Sequence, residues 1–403
     1  MSTGLISEVF ERGNGILHLA PNWVPRRNNE PGRRLRLHPD DYYAFGLDRG
    51  AIIERWFGSV TPAMNGPKTG PTEGMSFVVA DFQKKKLILF SDVVEELGTD
   101  LIGSELYQKY GTWPTFAKIY DNDKPLFHHL HLNEEKAARI GMHGKPEAYY
   151  FLRQYNPYMG RFPITYFGFD PSTDKEVIKD CIRNYRNFDT RITEYSRAYR
   201  IQLGTGWYTP PGVIHAPASL ATYEPQWNSD VSTIMENVTM GEVNPYEMLV
   251  HCQPEEEMGD VNKLFEQIDW EESTRPDYKA KYFRPPVAVQ KTQDGLSEKW
   301  VAYGNEWISA KEVTVDPGKT INLCDQACYG ALVIQGHGKF GDFACEAPGM
   351  LRFGQLSGDE YFVSESTAKK GISISNQSKY EPLVILQNFA NNNPEMPPSP
   401  YRE

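Results

Sequence analysis

Nine histidines occur in the chain, and three of them fall in the run Phe127-His128-His129-Leu130-His131. On an extended strand residues two apart share a face, so His129 and His131 point one way and His128 the other. Two neutral imidazoles side by side suit a metal such as Zn, Fe, Mn or Ni in a barrel interior, although the dyad alone reads equally well as a polar pair on a solvated face. Two later segments add to it. In Gly144-Lys145-Pro146-Glu147-Ala148-Tyr149-Tyr150-Phe151-Leu152 a turn feeds a strand whose alternation puts Lys145, Glu147 and Tyr149 on one face, and Glu147 offers a carboxylate oxygen. Farther along, Pro210-Pro211-Gly212-Val213-Ile214-His215 is a tight turn that delivers His215 onto the next strand. Three imidazoles and one carboxylate from three strands form an N3O set with room for water or substrate, the arrangement of a catalytic metal centre.

Such a set needs a rigid frame, and the composition points to a β-frame. Tyr and Phe number 23 and 20, and 33 Gly with 29 Pro punctuate the chain at short intervals, which favours many short strands over a helical bundle. Strand-like runs cover Ser76 to Ala80, Lys86 to Phe90, Lys118 to Tyr120, Leu126 to Leu132, Glu147 to Arg153 and Tyr199 to Leu203. Later ones cover Trp307 to Val315, Gly330 to Val333, Gly349 to Gly354 and Pro382 to Asn388. Helices are exceptions. Asp92-Val93-Val94-Glu95 has capping-box spacing with Gly98 as a stop, Thr173-Asp174-Lys175-Glu176 opens a helix to about Tyr185, and Val261 to Glu271 is amphipathic. A fresh set of β-runs follows Lys291 to Gly295, which places a domain boundary there and divides the chain into 1–290 and 291–403.

The charge narrows the classes of function. With 42 basic and 53 acidic side chains the net charge is −11, which opposes nucleic acid and anionic lipid. The short basic clusters Arg26-Arg27, Arg33 to Arg36 and Lys84-Lys85-Lys86 read as solvated surface. No apolar stretch approaches the roughly 20 residues of a membrane span, and Met1 to Gly13 carries Glu8, Glu11 and Arg12 where a signal peptide needs an apolar core. A soluble, cytoplasmic protein with a small-molecule ligand is expected. Five scattered cysteines fit reduced thiols, and Cys324 with Cys328 lacks the second pair that a thiolate metal site requires.

Taken in order along the chain, H-x-H, a glutamate and G-x5-P-x-G-x-x-H form the pattern of the cupin superfamily. More narrowly, Trp113 to Asp230 resembles type I mannose-6-phosphate isomerase. Pro114 to Tyr120 with Lys124 to His131 is similar to that family's strand pair leading into its Q-x-H ligands, and Gly144 to Leu152 is similar to its G-K-T-E-x-W-Y segment. Tyr166 to Asp170 with the helix after it resembles an insertion of the bacterial members, here about 171–190, and Tyr208 to Pro217 resembles the I-P-A-G-x-x-H-A turn. The resemblance implies a mainly β fold of two cupin jelly-roll barrels with short helical insertions. It implies a divalent metal, Zn first with Fe, Mn or Ni as alternatives, held by His129, His131, Glu147 and His215. Lys145 matches the active-site lysine, and Glu224 matches an acidic residue near the reacting carbons. The implied activity is aldose–ketose isomerisation of mannose 6-phosphate, or a related sugar, through a cis-enediol.

Two positions depart from the family. His129 stands where the isomerases usually have Gln, which softens the donor set. Ile234 stands where they have a catalytic arginine, which puts phosphate recognition in doubt, with Arg139, Arg153 or Arg161 as possible substitutes. Tyr149, Trp207 and Asp230 are expected to bind substrate; Asp230 and Glu236 with Trp207, Tyr208 and Trp227 would suit an unphosphorylated sugar through hydrogen bonds and ring stacking, and the bland reading of the aromatics is core filling. The alternatives are an isomerase of an unphosphorylated sugar, a cupin oxygenase or decarboxylase, and a sugar-binding homologue without catalysis. Gly330 to Lys339 resembles half a cupin barrel without H-x-H, so the C-terminal part is expected to hold no metal, with His337 a turn residue.

Overall fold

The computed structural model describes residues 3–27, 29–290 and 293–402. Short strands dominate, and the longest described helix, Thr3–Arg12, has 10 residues. The strands build two jelly-roll barrels of the cupin type. In the first, a seven-stranded sheet runs in the order Phe283–Arg284, Gly206–Thr209, Glu147–Phe151, Thr222–Trp227, Thr115–Tyr120, Ala51–Phe57, Asn22–Arg26. It faces a five-stranded sheet in the order Ser196–Arg200, Ile164–Phe169, His215–Ala216, His129–Leu130, Thr233–Ile234. The second barrel pairs a seven-stranded sheet, Ile16–His18, Glu360–Val363, Tyr329–Gln335, Leu383–Phe389, Ser309–Val315, Leu296–Ala302, Val287–Ala288, with a four-stranded one spanning Thr320–Leu323, Ile372–Asn376, His337–Phe340 and Phe343–Glu346.

Antiparallel register sorts the side chains of the first large sheet into two faces. Arg55, Ile119, Tyr223 and Tyr150 line up on one side, whereas Trp56, Lys118 and Glu224 align on the other, with Gln226 opposite Glu147. The first face is the junction between the barrels: Ile119, Tyr150 and Tyr223 share a buried apolar cluster with Ala310, Leu332, Val384 and Leu386. Arg55 crosses this layer fully buried and sets Nη1 and Nη2 2.8 and 2.9 Å from the two Asp359 carboxylate oxygens. Burial pushes the neighbouring Glu360 up to about 8 against the pull of Arg55, and Asp359 makes the closer, bidentate contact. The N-terminal strand Ile16–His18 pairs with Glu360–Val363 and ties the start of the chain to the second barrel. Lys291 and Thr292, at the expected boundary, lie outside the described residues.

Several elements differ from their sequence patterns for identifiable reasons. The run Leu126 to Leu132 is a strand only at His129–Leu130, because Leu126 N–H donates to Pro217 O, and the His128 carbonyl accepts from Met235 and Glu236 N–H groups. Gly349 to Gly354 holds a single bridge, Leu37 to Leu351, and the strand expected at Tyr199 to Leu203 lies earlier, at Ser196–Arg200. Asp92 is the third residue of helix Phe90–Leu97 rather than its cap, since the chain turns helical directly from strand Lys86–Leu89 and the Phe90 N–H is held by Ser76 O. Asp174, not Thr173, caps Lys175–Arg183 by accepting from Glu176 N–H at 2.8 Å. The stretch Val261 to Glu271 breaks into Val261–Phe265 and Trp270–Thr274, because Asp269 caps a new helix and its N–H is fixed 2.8 Å from Gly212 O. No described helix is long and apolar enough to cross a membrane.

Candidate metal centre

His129 and His215 are directly opposed across the five-stranded sheet, with ring centroids 4.2 Å apart, and His131 lies 5.0 Å from each. All three are buried, and their ligand atoms lie within 4.8 Å of one another. Gly212 sets up this approach: its φ of 82° is left-handed and favours glycine, and its N–H donates to His131 O at 2.7 Å, stitching the His215 turn to the H-x-H segment. His128 points away, as alternation predicts, toward Glu236, whose Oε2 accepts from the His128 backbone N–H at 2.7 Å.

Each of the three rings is fixed in one tautomer. The Nδ1 atoms of His129, His131 and His215 lie 2.9, 2.7 and 2.8 Å from the carbonyl oxygens of Phe127, Val231 and Val213. A carbonyl only accepts, so Nδ1 carries the proton and the Nε2 lone pair is left for the centre. Burial, then the neighbouring His215 and His131, holds His129 well below the usual imidazole range, and burial with Lys145 brings His131 down to about 4.

Glu147 reaches in from the facing sheet. Its Oε2 lies 3.0 Å from His131 Nε2 and its Oε1 3.2 Å from His215 Nε2. An imidazole lone pair turned at a carboxylate oxygen is repelled unless a cation stands between them. His215 Nε2 and Glu147 Oε2 are buried without a hydrogen-bond partner. The His131 and His215 contacts with Glu147, at 3.0 and 3.2 Å, are close to the roughly 3.3 Å between ligand atoms expected for bonds of about 2.0–2.1 Å in a tetrahedral set. The three imidazoles therefore form a set that fits a divalent cation, with Glu147 beside His131 and His215. The positive charge that answers them within the chain is the Lys145 ammonium, 3.2 Å from His131 Nε2 and 3.0 Å from Glu147 Oε2.

Behind this set runs a chain of buried charges. Tyr149 donates its hydroxyl to Glu147 Oε1 at 2.7 Å. Glu224 Oε1 lies 3.0 Å from Lys118 Nζ and 3.6 Å from Lys145 Nζ, both outside hydrogen-bond geometry, so the contacts are Coulombic and the oxygen keeps an open acceptor. Burial first, and then Glu147, pushes Glu224 up to about 8, whereas burial of Glu147 is overcome by Lys145, His131 and His215 together, which hold it well below the carboxylate range. Lys118 also lies 3.5 Å from Glu54, and Arg26 clamps Glu54 and Asp230 together: Nη2 is 2.9 Å from both Glu54 Oε2 and Asp230 Oδ1.

Asp230 yields a prediction about acid stability. Burial alone would raise its pKa, but Arg26 beside it wins and sets it at about 2 against an ordinary 3.8. A depressed carboxylate stabilises the fold above its unfolded pKa, and that stability is lost as pH falls through the folded value. Denaturant titrations from pH 5 to pH 2 should therefore show the wild type losing on the order of 2 kcal/mol more than Asp230→Asn, mostly between pH 4 and pH 2.

Other expected residues are placed as follows. Trp207 is buried in an aromatic stack, 4.9 Å from Phe167, which is itself 6.4 Å from His215. Trp227 meets Tyr110 and Trp307 edge-on, and Tyr208 packs 6.0 Å from Tyr282. Arg139, Arg153 and Arg161 are exposed, and Arg139 and Arg161 pair with Glu257 and Asp123. Ile234 is paired in register with His129 and so shares its face. The solvated-surface reading fails for two basic clusters: Arg26 is drawn in by Glu54 and Asp230, and Arg34 is buried 2.6 Å from Asp121, while Lys84, Lys85 and Lys86 are exposed. Sequence reasoning missed Arg26, Glu54 and Lys118 as neighbours of the site. A lysine inside the buried strand Thr115–Tyr120 was the available signal, since unpaired lysine is almost never buried.

Comparisons with solved structures match this architecture along nearly the whole chain. A putative mannosephosphate isomerase from Archaeoglobus fulgidus aligns over 93% of this chain and 97% of its own, with TM-score 0.60 and 14% identity. The fold is that of the phosphomannose isomerases. The mannose 6-phosphate isomerase from Bacillus subtilis aligns over 93% of this chain and 99% of its own, with TM-score 0.60 and 16% identity. A point mutant of phosphomannose isomerase from Salmonella typhimurium aligns over 94% and 100%, with TM-score 0.60 and 10% identity. No protein-family model and no curated protein sequence matches. Identity this low speaks for architecture, and the chemistry rests on the side chains of this chain.

Proposed function

We propose that the protein is a metal-dependent aldose–ketose isomerase acting on mannose 6-phosphate or a related sugar, with its catalytic unit in residues 1–290 and a C-terminal barrel, 291–403, that holds no metal. The observation that carries this reading is the convergence of three tautomer-fixed imidazoles and Glu147 on one buried point beside Lys145 and Glu224. His129, His131, Glu147 and His215 would hold a divalent cation, Zn or one of Fe, Mn and Ni, which when bound supplies Lewis acidity toward the carbonyl and neighbouring hydroxyl of the sugar. Lys145 steadies negative charge developing on the substrate oxygens, and Glu224, with its open acceptor oxygen, moves the proton between C1 and C2. Tyr149 orients Glu147 through its hydroxyl. In the second barrel buried Lys311, 2.7 Å from Glu298 and paired with Asp325, takes up interior space, and His337 is exposed at the start of its strand. The protein is assigned to the cytoplasm.

Metal analysis followed by a sugar screen tests the reading. Chelated protein should lose aldose–ketose conversion and regain it on addition of one divalent ion, and activity indifferent to chelation would refute the assignment. The three-histidine donor set also favours a second reading, a cupin oxygenase or decarboxylase. Oxygen consumption by the Fe- or Mn-loaded protein would select it.

A further inference from the structure

We propose that the site takes an unphosphorylated sugar, a refinement that rests on the isomerase reading above. The inference follows from how the cations near the ligand set are already used. Ile234, in register with His129 and fully buried, presents hydrocarbon on the face that carries the histidines. Arg26 is the guanidinium nearest the charge row, and all five of its N–H donors have acceptors. Nε and Nη2 serve Glu54 Oε2, Nη2 also serves Asp230 Oδ1, and Nη1 serves Asp230 Oδ2 and Asn65 Oδ1. Lys118 is shared by Glu54 and Glu224, and Lys145 by Glu147 and Glu224.

Each of the cations Arg26, Lys118 and Lys145 is thus already in contact with carboxylates of the chain itself, drawn from Glu54, Glu147, Glu224 and Asp230. A phosphate monoester adds about −1.5 to −2 charge at neutral pH and brings mainly acceptor oxygens. The open positions here are acceptors as well: Glu224 Oε1 and Gln226 Oε1 are buried without a hydrogen-bond partner, and Gln226 stands in register with Glu147 on the site's face. Sugar hydroxyl groups donate to such oxygens. The net charge of −11 adds a repulsive field for any anionic substrate.

The test uses the full-length, metal-loaded protein and pairs mannose, glucose and fructose with their 6-phosphates under anaerobic conditions. At least one neutral sugar should be isomerised with a kcat/KM at least about tenfold above that of its 6-phosphate, roughly 1.4 kcal/mol of discrimination. A 6-phosphate preferred over its neutral partner would overturn the inference and leave the isomerase reading standing. If no sugar is turned over, the isomerase reading fails, and calorimetry with the same pairs decides the substrate class. Tighter binding of a neutral sugar supports it, and tighter binding of the phosphate, or binding of neither, overturns it.

Discussion

His215→Ala is expected to leave the purified protein with less than about a tenth of the wild-type metal per chain and with no measurable sugar turnover, and Glu147→Gln should do the same. His215 is the cross-strand partner of His129, and its Nε2 is one of the buried, unpartnered acceptors that define the centre. Loss of an outer hydrogen-bond partner already costs about 10–100-fold in metal affinity, so loss of a ligand costs more. Glu147→Gln keeps the shape but removes the charge that sits 3.0 Å from both His131 Nε2 and Lys145 Nζ. Elemental analysis, a turnover assay and circular dichroism separate the outcomes: metal and activity should disappear while the β-spectrum is retained. Wild-type metal content in either variant would show that the imidazoles are held together for packing.

The second large effect concerns the junction between the barrels. Arg55→Met is expected to lower the unfolding free energy by about 3–5 kcal/mol, because it strands a buried Asp359 without its partner. The pair is bidentate, with both side chains essentially inaccessible to water, and the neighbouring Glu360, pushed up to about 8 by burial, lies farther from Arg55 at 3.5 Å. Asp359→Leu should cost a similar amount for the converse reason. The double variant removes both charges and should recover to within about 1–2 kcal/mol of the wild type. Equilibrium urea unfolding of the four proteins measures the cycle, and simple additivity of the two losses would contradict a direct pairing.

The parts of the site legible in the sequence are those set by local geometry. His129 and His131 follow from strand alternation, Lys145, Glu147 and Tyr149 from the period of one strand, and His215 from the Pro-Gly turn that precedes it. The structure brings all of these together except that the H-x-H segment is barely a strand, its backbone groups being taken by loop partners at Pro217, Met235 and Glu236. The members of the buried charge row come from strands distant in sequence. Glu54, Lys118 and Glu224 are neighbours only because Ala51–Phe57, Thr115–Tyr120 and Thr222–Trp227 lie side by side in one sheet. Sheet order is a long-range property, so a pair such as Arg26–Arg27 reads as surface until Asp230, 204 positions away, supplies the carboxylate that draws Arg26 in. The helix at Phe90 begins before its capping-box signature because a tertiary bond to Ser76 outweighs the local cap.

Proton transfer between the two sugar carbons is the central claim, and solvent isotope incorporation measures it most directly. The metal-loaded protein, incubated anaerobically in deuterium oxide with an aldose and its ketose, should interconvert them and place deuterium at C1 of the ketose or C2 of the aldose, as read by NMR. Interconversion and label should both vanish in His215→Ala. Metal-loaded wild-type protein that exchanges no deuterium into any sugar or sugar phosphate offered would contradict the account.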